Sequence, residues 1–195
     1  MVWLLSLAFA VAPFPCGSLD QAHMLAQQGR LFPHQRVCLE DLAKQPGDYR
    51  LTASHLLMND ATMRGSHATW QRLAERHLTT IDGDDPALVV AYARFLFVGD
   101  RNDETITFID QVLPRTEGWG PEGVEPGLTL HRMRTVAAVN SWRDTAQHVD
   151  RAHHYAAAWA QAAEAAGRTD GTAHSLCTMT GPAGDCPLPT VADAD

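Results

Sequence analysis

Residues 86–114, PALVVAYARFLFVGDRNDETITFIDQVLP, contain two apolar stretches of helical length that are separated by a glycine turn. In both stretches the apolar residues recur at spacings of three and four, which is typical of one helix face. Pro86 suits the first turn of a helix, and Pro114 ends the second stretch. The segment therefore predicts two antiparallel helices. Their apolar positions are Leu88, Ala91, Tyr92 and Phe95, followed after Gly99 by Ile106, Phe108, Ile109, Val112 and Leu113.

Similar glycine turns occur earlier in the chain at a regular interval. Gly29, Gly65 and Gly99 are separated by 36 residues (65 − 29) and 34 residues (99 − 65). Each glycine lies between two apolar stretches of helical length. One helix pair in about 34 residues is typical of a helical solenoid.

A fourth helix pair is predicted after an interruption rich in glycine and proline at residues 117–127. Its first helix is expected at 128–139 and its second, which is rich in alanine, at about 144–166. One face of the second helix predicts a close-packed core seam around Trp159. The sequence thus predicts an all-α solenoid of about four antiparallel helix hairpins, within one repeat domain at residues 18–167.

The segment 88–112 resembles the tetratricopeptide repeat in its order of small, aromatic and glycine positions. The first predicted pair resembles it as well, whereas the second and fourth match mainly by spacing. Glu104 stands where the family usually has a small alanine. The resemblance implies a right-handed superhelix that binds a protein or peptide and performs no catalysis. It is carried by Leu88, Ala91, Tyr92, Phe95, Gly99, Phe108 and Val112, and in the first pair by Ala22, Leu25, Gly29, Leu42 and Pro46.

In that family the first helix of each pair lines the concave face of the superhelix. The resemblance therefore implies a row of His, Gln, Asn and Arg groups, with one exposed aromatic ring, that binds an extended peptide through charge-assisted hydrogen bonds. A simpler interpretation, that these are solvated helix positions, stays open. The candidate residues are His23, Gln27, His55, Asn59, Phe97 and Arg134, with Ala93 and His131 as further positions on the same face.

The composition limits the classes of function. The chain has 195 residues and a formal net charge of −8, which argues against nucleic-acid binding because phosphate contacts need clustered Lys and Arg. No nucleophile elbow, zinc-protease motif or phosphate-binding glycine loop occurs. We therefore expect no enzymatic activity and no cofactor.

The first twelve residues, MVWLLSLAFAVA, form an apolar run that ends in small residues. Ala8-Phe9-Ala10 fits the cleavage pattern of a secretory signal, so residues 1–12 predict a leader and a periplasmic or secreted protein. No Lys or Arg precedes the run, which leaves a buried N-terminal helix as the alternative. A bilayer-spanning helix takes about 20 residues, so no membrane span is expected after removal of the leader.

Four cysteines, with no C-x-x-C pair, agree with export. Cys177 and Cys186 flank a loop rich in Thr, Gly and Pro. A disulfide between them would fix a C-terminal tail at 168–195, which no core helix is expected to hold. The end of that tail, 187–195, is expected to be disordered. Cys16 and Cys38 then pair by elimination. Because bridged Cα atoms lie within about 7 Å of each other, this pairing requires the segment before the first helix to fold back.

Ten histidines leave a second hypothesis open, a secreted metal-binding or enzymatic helical domain that uses residues 144–155. This region holds His148, His153 and His154 beside Asp144 and Asp150. Of these, Asp150 and His154 have the i, i+4 spacing that places two ligands together on a helix. Since metal sites in helical bundles usually use several such pairs, ordinary surface histidines are favoured and no metal ligand is assigned.

Overall fold

The computed structural model describes residues 14–142 and 149–186, and the regular secondary structure in this part of the chain is all helical, without strands. The chain divides into two compact units, Met1–Asp82 and Gly83–Asp195. The predicted leader at 1–12, the predicted disordered end at 187–195, and Asp144 and His148 lie outside the described residues.

The described residues of unit 1, 14–82, contain four helices, and the third of these packs against the other three. Ser18 begins the first helix by accepting a hydrogen bond from the backbone N–H of Gln21, and Gly29 follows the end of this helix at φ +66°. The apolar residues Leu39, Leu56 and Leu73 are completely or almost completely buried. The helices are α1 (Leu19–Gln27), α2 (Pro33–Lys44), α3 (Arg50–Met63) and α4 (His67–Thr80).

A buried carboxylate holds the turn between α1 and α2 against α3. Asp60 is 0% exposed and accepts a hydrogen bond from the backbone N–H of Leu31 at 3.1 Å. Its other oxygen forms ion pairs with Arg64 at 2.8 Å and Arg36 at 3.1 Å. A buried charge is stable only when it is paired and hydrogen-bonded in this way.

The Cys16–Cys38 disulfide is present, with Cα atoms 5.7 Å apart. The segment before α1 therefore folds back onto α2, as the pairing required. Phe14 contributes to this arrangement because its ring packs edge-on against Tyr49 at 5.2 Å. The predicted pairing is confirmed.

Unit 2 contains five helices in the described residues. In addition to the packing of successive helices, the first of these helices packs against the third. Two short 3-10 turns, Leu113–Trp119 and Pro121–Gly123, connect α6 to α7. The helices are α5 (Pro86–Val98), α6 (Asn102–Val112), α7 (Val124–Trp142), α8 (Val149–Ala165) and α9 (Gly171–Thr180).

Two predicted boundaries in unit 2 were wrong. The interruption ends earlier than residue 127, because α7 begins at Val124 and tolerates Pro126 in its first turn. The predicted tail beyond residue 167 also contains a helix, α9, which packs against α8 and buries Ala173 and Cys177 completely. The Cys177–Cys186 disulfide is confirmed, with Cα atoms 5.8 Å apart, and it joins the end of α9 to the following turn.

The predicted core seam of α8 is confirmed. Trp159 is 2% exposed and packs with Ala160 against Ala173 of α9. Small residues on the same face of α8 are buried with it, namely Ala152, Ala156 and Ala163. None of the described helices has the length and apolar character to cross a membrane.

Candidate functional site

An open cavity of about 720 Å³ lies within unit 2, and we call it the α7 pocket. The end of α6, the 3-10 turns, the first half of α7 and the last turns of α8 form its walls. Most of the lining is apolar, and three polar side chains lie together on α6 and α7. The apolar residues include Leu113, Val124, Leu128, Ala162 and Ala166, and the polar group is Asp110, His131 and Arg134.

Helix-breaking residues produce the wall formed by the 3-10 turns. Pro114 and Pro121 each begin a turn, and Gly120 has φ +65°, which other residues rarely adopt. Gly123 lies so close to Trp119 that an added Cβ would collide with the Trp119 side chain. The Gly/Pro composition noted in the sequence thus creates one side of the pocket.

Arg134 is the centre of a hydrogen-bonded network across three helices. It is 8% exposed, and its guanidinium donates to Asp110 Oδ1 on α6 at 2.8 Å. The same guanidinium lies over the ring of Tyr155 on α8, 4.1 Å from the ring centroid. The Tyr155 hydroxyl donates to Asp110 Oδ2 at 2.8 Å, which closes the network. The network fixes the position of Arg134 in the wall of the pocket.

His131 extends this network on α7. Burial, and then the positive charge of Arg134, lower the pKa of His131 from 6.5 to about 4. The imidazole is therefore neutral at pH 7, and its Nδ1 accepts a hydrogen bond from Arg134 at 3.3 Å. With Nδ1 as the acceptor, Nε2 carries the proton. Burial likewise raises the pKa of the Tyr155 hydroxyl.

The arrangement is chemically suited to binding. Arg134 and Asp110 neutralise each other, and His131 is neutral, so an apolar group can approach these three side chains without facing an unpaired charge among them. The exposed carboxylate of Glu117 also lines the pocket. Arg134 Nε is buried and has no hydrogen-bond partner among the described residues. The described lining of the pocket contains no Ser or Cys that could act as a nucleophile.

The structure places four of the six predicted site residues in unit 1. His23 and Gln27 on α1 and Asn59 on α3 are exposed. His55 is half-buried, and its ring stacks on that of His77 at 5.0 Å. Helices α1 and α3 pack against each other, and these four residues stay candidates for partner binding.

The other two predicted residues lie in unit 2 and differ in their surroundings. Arg134 lines the α7 pocket, together with His131. Phe97, the predicted exposed aromatic residue, is half-buried because it packs against a core cluster that includes Ile106 and Tyr155. Ala93, assigned to the same face, is 0% exposed.

Sequence reasoning missed Asp110 and Tyr155. Asp110 follows the buried Ile109 on α6 and has no distinguishing spacing, and its partners are 24 and 45 residues away in the chain. Tyr155 was absent from the apolar seam around Trp159. The available signal at Asp110 was a polar residue beside the apolar positions Ile109 and Val112, and it does not identify a partner on another helix.

The structure places the i, i+4 pair considered for a metal at the surface of α8. Asp150 and His154 are both exposed. His153 instead turns towards α9, where its Nδ1 lies 3.0 Å from the carbonyl oxygen of Cys177.

Comparison with known proteins identifies no relative. No protein-family model, no curated protein and no solved structure matches this chain. The functional conclusion therefore rests on the chemistry of the α7 pocket.

Proposed function

We propose that this protein is an exported, non-catalytic helical-repeat scaffold that binds a protein or peptide partner through the α7 pocket. The observation that carries the proposal is an open, mainly apolar cavity of about 720 Å³ with the buried Arg134, paired to the half-exposed Asp110, in its wall. Ligand sites in proteins have this character, with volumes of about 300–1,000 Å³ and a few fixed polar groups.

The packing order of the helices supports the repeat component of the proposal. In each unit, the first helix of one pair packs against the first helix of the next pair, α1 against α3 and α5 against α7. The second helix of the earlier pair also packs against the next pair, as α2 does against α3 and α6 against α7. Stacked helix pairs in a solenoid contact their neighbours in this way.

The shape and polarity of the pocket favour a peptide with an apolar anchor. An apolar side chain would occupy the space between Leu128 on α7 and Ala162 on α8. The half-exposed carboxylate of Asp110 would then accept a hydrogen bond from a polar group beside that anchor. The Nε2–H of His131 would donate a hydrogen bond to another such group. Anchors of this kind in fully desolvated pockets supply most of the binding energy in protein interfaces.

Cysteine chemistry supports export. Both cysteine pairs are bridged, which is compatible with an oxidising extracellular or periplasmic location.

Selection of binding peptides from a random displayed library tests the proposal. Ala165 is exposed at the end of α8 and lines the pocket, so Ala165→Trp should block the pocket while leaving the buried Arg134 network intact. Gln161→Trp is the matched control, because Gln161 is exposed on the same helix and does not line the pocket. Affinities of the selected peptides are measured by titration calorimetry.

We expect the selected peptides to share an apolar residue and to bind the wild type and Gln161→Trp with equal affinity. Their affinity for Ala165→Trp should be at least about tenfold lower, which corresponds to 1.4 kcal/mol. Equal affinity for both tryptophan variants would show that peptides bind elsewhere. Failure to select any peptide would refute peptide recognition by this chain.

A further inference from the structure

A second cluster of chemically reactive groups lies at the other end of α8 from the α7 pocket. His153 on α8 faces Cys177 on α9 and Cys186 in the turn that follows α9. One ring nitrogen of His153 and both sulfur atoms lie within 4.8 Å of one another. Cys177 and Cys186 are 0% and 5% exposed, and their sulfur atoms are joined in the disulfide.

The His153 ring is held in a defined orientation. Its Nδ1 lies 3.0 Å from the Cys177 carbonyl oxygen and therefore carries a proton that it donates. Its Nε2 is buried and lies 3.6 Å from Asp185 Oδ2. On one side the ring packs directly against Gly181, where an added Cβ would collide with the imidazole.

We propose that reduction of the Cys177–Cys186 disulfide converts this cluster into a binding site for a thiophilic divalent cation of the zinc class. Two molecules of an external thiol reduce the bridge, which yields two cysteine thiols and one molecule of oxidised thiol disulfide. Binding of the cation then releases both thiol protons to solvent, and the two thiolates and the unprotonated Nδ1 of His153 become ligands. Water supplies the fourth position.

The distances agree with this ligand set. In a tetrahedral zinc site, bond lengths of about 2.3 Å to sulfur and about 2.0–2.1 Å to nitrogen place a sulfur and a nitrogen ligand about 3.6 Å apart. In the oxidised structure His153 Nδ1 and Cys177 Sγ are already 3.9 Å apart. The main rearrangement is the separation of the two bonded sulfur atoms to about 3.8 Å, the spacing expected of two ligands in such a site.

Asp185 provides the outer contact that such a histidine needs. When Nδ1 binds the cation, the remaining proton of the ring moves to Nε2, which faces the Asp185 carboxylate. A histidine ligand that donates its other N–H to a carboxylate is a common arrangement around zinc. The cation would thus connect α8, α9 and the following turn after reduction has removed the covalent link.

The test uses the full chain, unfolded and refolded in a phosphine reductant, with four free thiols confirmed by thiol titration, and Co²⁺ as a spectroscopic probe for zinc. We expect the reduced protein to bind one Co²⁺ with a sulfur-to-cobalt charge-transfer band, and the oxidised protein to show none. Cys177→Ser should abolish the band, whereas Cys16→Ser should retain it. Zn²⁺ should displace the Co²⁺ with loss of the band.

Variants of the histidine and the acid test the geometry. His153→Ala should weaken Co²⁺ binding at least about tenfold, and Asp185→Asn about 10–100-fold, while His154→Ala, an exposed neighbour, should leave it unchanged. His153→Gln replaces the alanine variant if circular dichroism shows that the latter does not fold.

Three results would overturn the proposal. The first is a reduced wild type with four thiols that shows no charge-transfer band, whether or not its helices have re-formed. The second is wild-type affinity in Cys177→Ser or in the folded His153 variant. The third is loss of the band in Cys16→Ser, which would place binding at the other cysteine pair. None of these outcomes depends on the α7 pocket.

Discussion

Acidification should destabilise unit 2 through His131. The ordinary pKa of the histidine is 6.5, and in the folded protein it is about 4. Between these values the unfolded state binds a proton that the folded state does not, so the free energy of unfolding decreases as the pH falls. Each unit of pKa difference corresponds to about 1.36 kcal/mol. Relative to pH 7, the titration of His131 therefore lowers the free energy of unfolding by about 1 kcal/mol at pH 5.5 and by about 3 kcal/mol at pH 4.

The structure gives the reason for the sign. Protonated Nδ1 cannot accept the hydrogen bond from Arg134, and it would place a second positive charge 3.3 Å from the guanidinium. Asp110 on α6 already neutralises Arg134, and Glu117 lines the same pocket. Since burial is the larger cause of the low pKa, most of this free energy reflects the loss of water around the imidazole.

Amide hydrogen exchange of α7 and α8 is the appropriate assay, because it reports the opening free energy of unit 2 separately from unit 1. It is measured at pH 7, 5.5 and 4 for the wild type and His131→Gln, after correction for the intrinsic exchange rate at each pH. The difference between the two proteins isolates the contribution of His131 from that of other titrating groups.

When the pH falls from 7 to 4, the wild type should lose about 3 kcal/mol of opening free energy that His131→Gln does not lose. The control His154→Gln removes an exposed imidazole from α8 and should follow the wild type. Parallel pH profiles for the wild type and His131→Gln would refute the burial argument. A shift in the opposite direction would show that the folded state favours the charged imidazole.

Three further substitutions test the core and the cross-links by urea unfolding followed by circular dichroism. Trp159→Ala should reduce the free energy of unfolding by about 3–5 kcal/mol, because a completely enclosed side chain leaves a cavity. Asp60→Ala should cost about 3 kcal/mol, because it leaves the Leu31 N–H and two arginines without their buried partner. Replacing Cys16 and Cys38 by alanine should cost about 3 kcal/mol, because it releases a loop of 22 residues in the unfolded chain.

Exposed positions supply the controls for these substitutions. Met179→Ala, at 74% exposure on α9, should change stability by less than about 0.5 kcal/mol, and so should Asp41→Ala on α2. A Trp159→Ala effect as small as that of Met179→Ala would contradict the core assignment. Equal effects of Asp60→Ala and Asp41→Ala would mean that the buried ion pairs add nothing to stability.

Local sequence signals predicted most helix boundaries because caps and turns depend on nearby residues. Ser18, Gly29 and Pro86 start or end helices where their backbone preferences require it. The same reasoning misjudged Val124 and the segment 171–180. For α9 a local signal was present, because the Asp170 side chain accepts hydrogen bonds from the backbone N–H groups of Thr172 and Ala173. In the structure α7 packs on α6 and α9 packs on α8.

The candidate site depended on tertiary structure to a greater degree. The resemblance to the tetratricopeptide repeat implied that Arg134, with His131 as a further position, belongs to a peptide-binding row on the concave face. Asp110 and Tyr155 come from two other helices, and the network they form buries Arg134 within a pocket wall. Contacts across 24 and 45 residues leave no periodic signal in one sequence.

The sequence by itself determined the all-α class, the approximate positions of most helices and the even set of cysteines, because hydrophobic period, capping and chain-breaking residues act over a few positions. Only the tertiary structure decided that two compact units form, that the Gly/Pro turns enclose a pocket, and that His153 faces the Cys177–Cys186 bridge. These features depend on which helix faces pack together, and that choice is made by the buried surface of the whole unit rather than by any local segment.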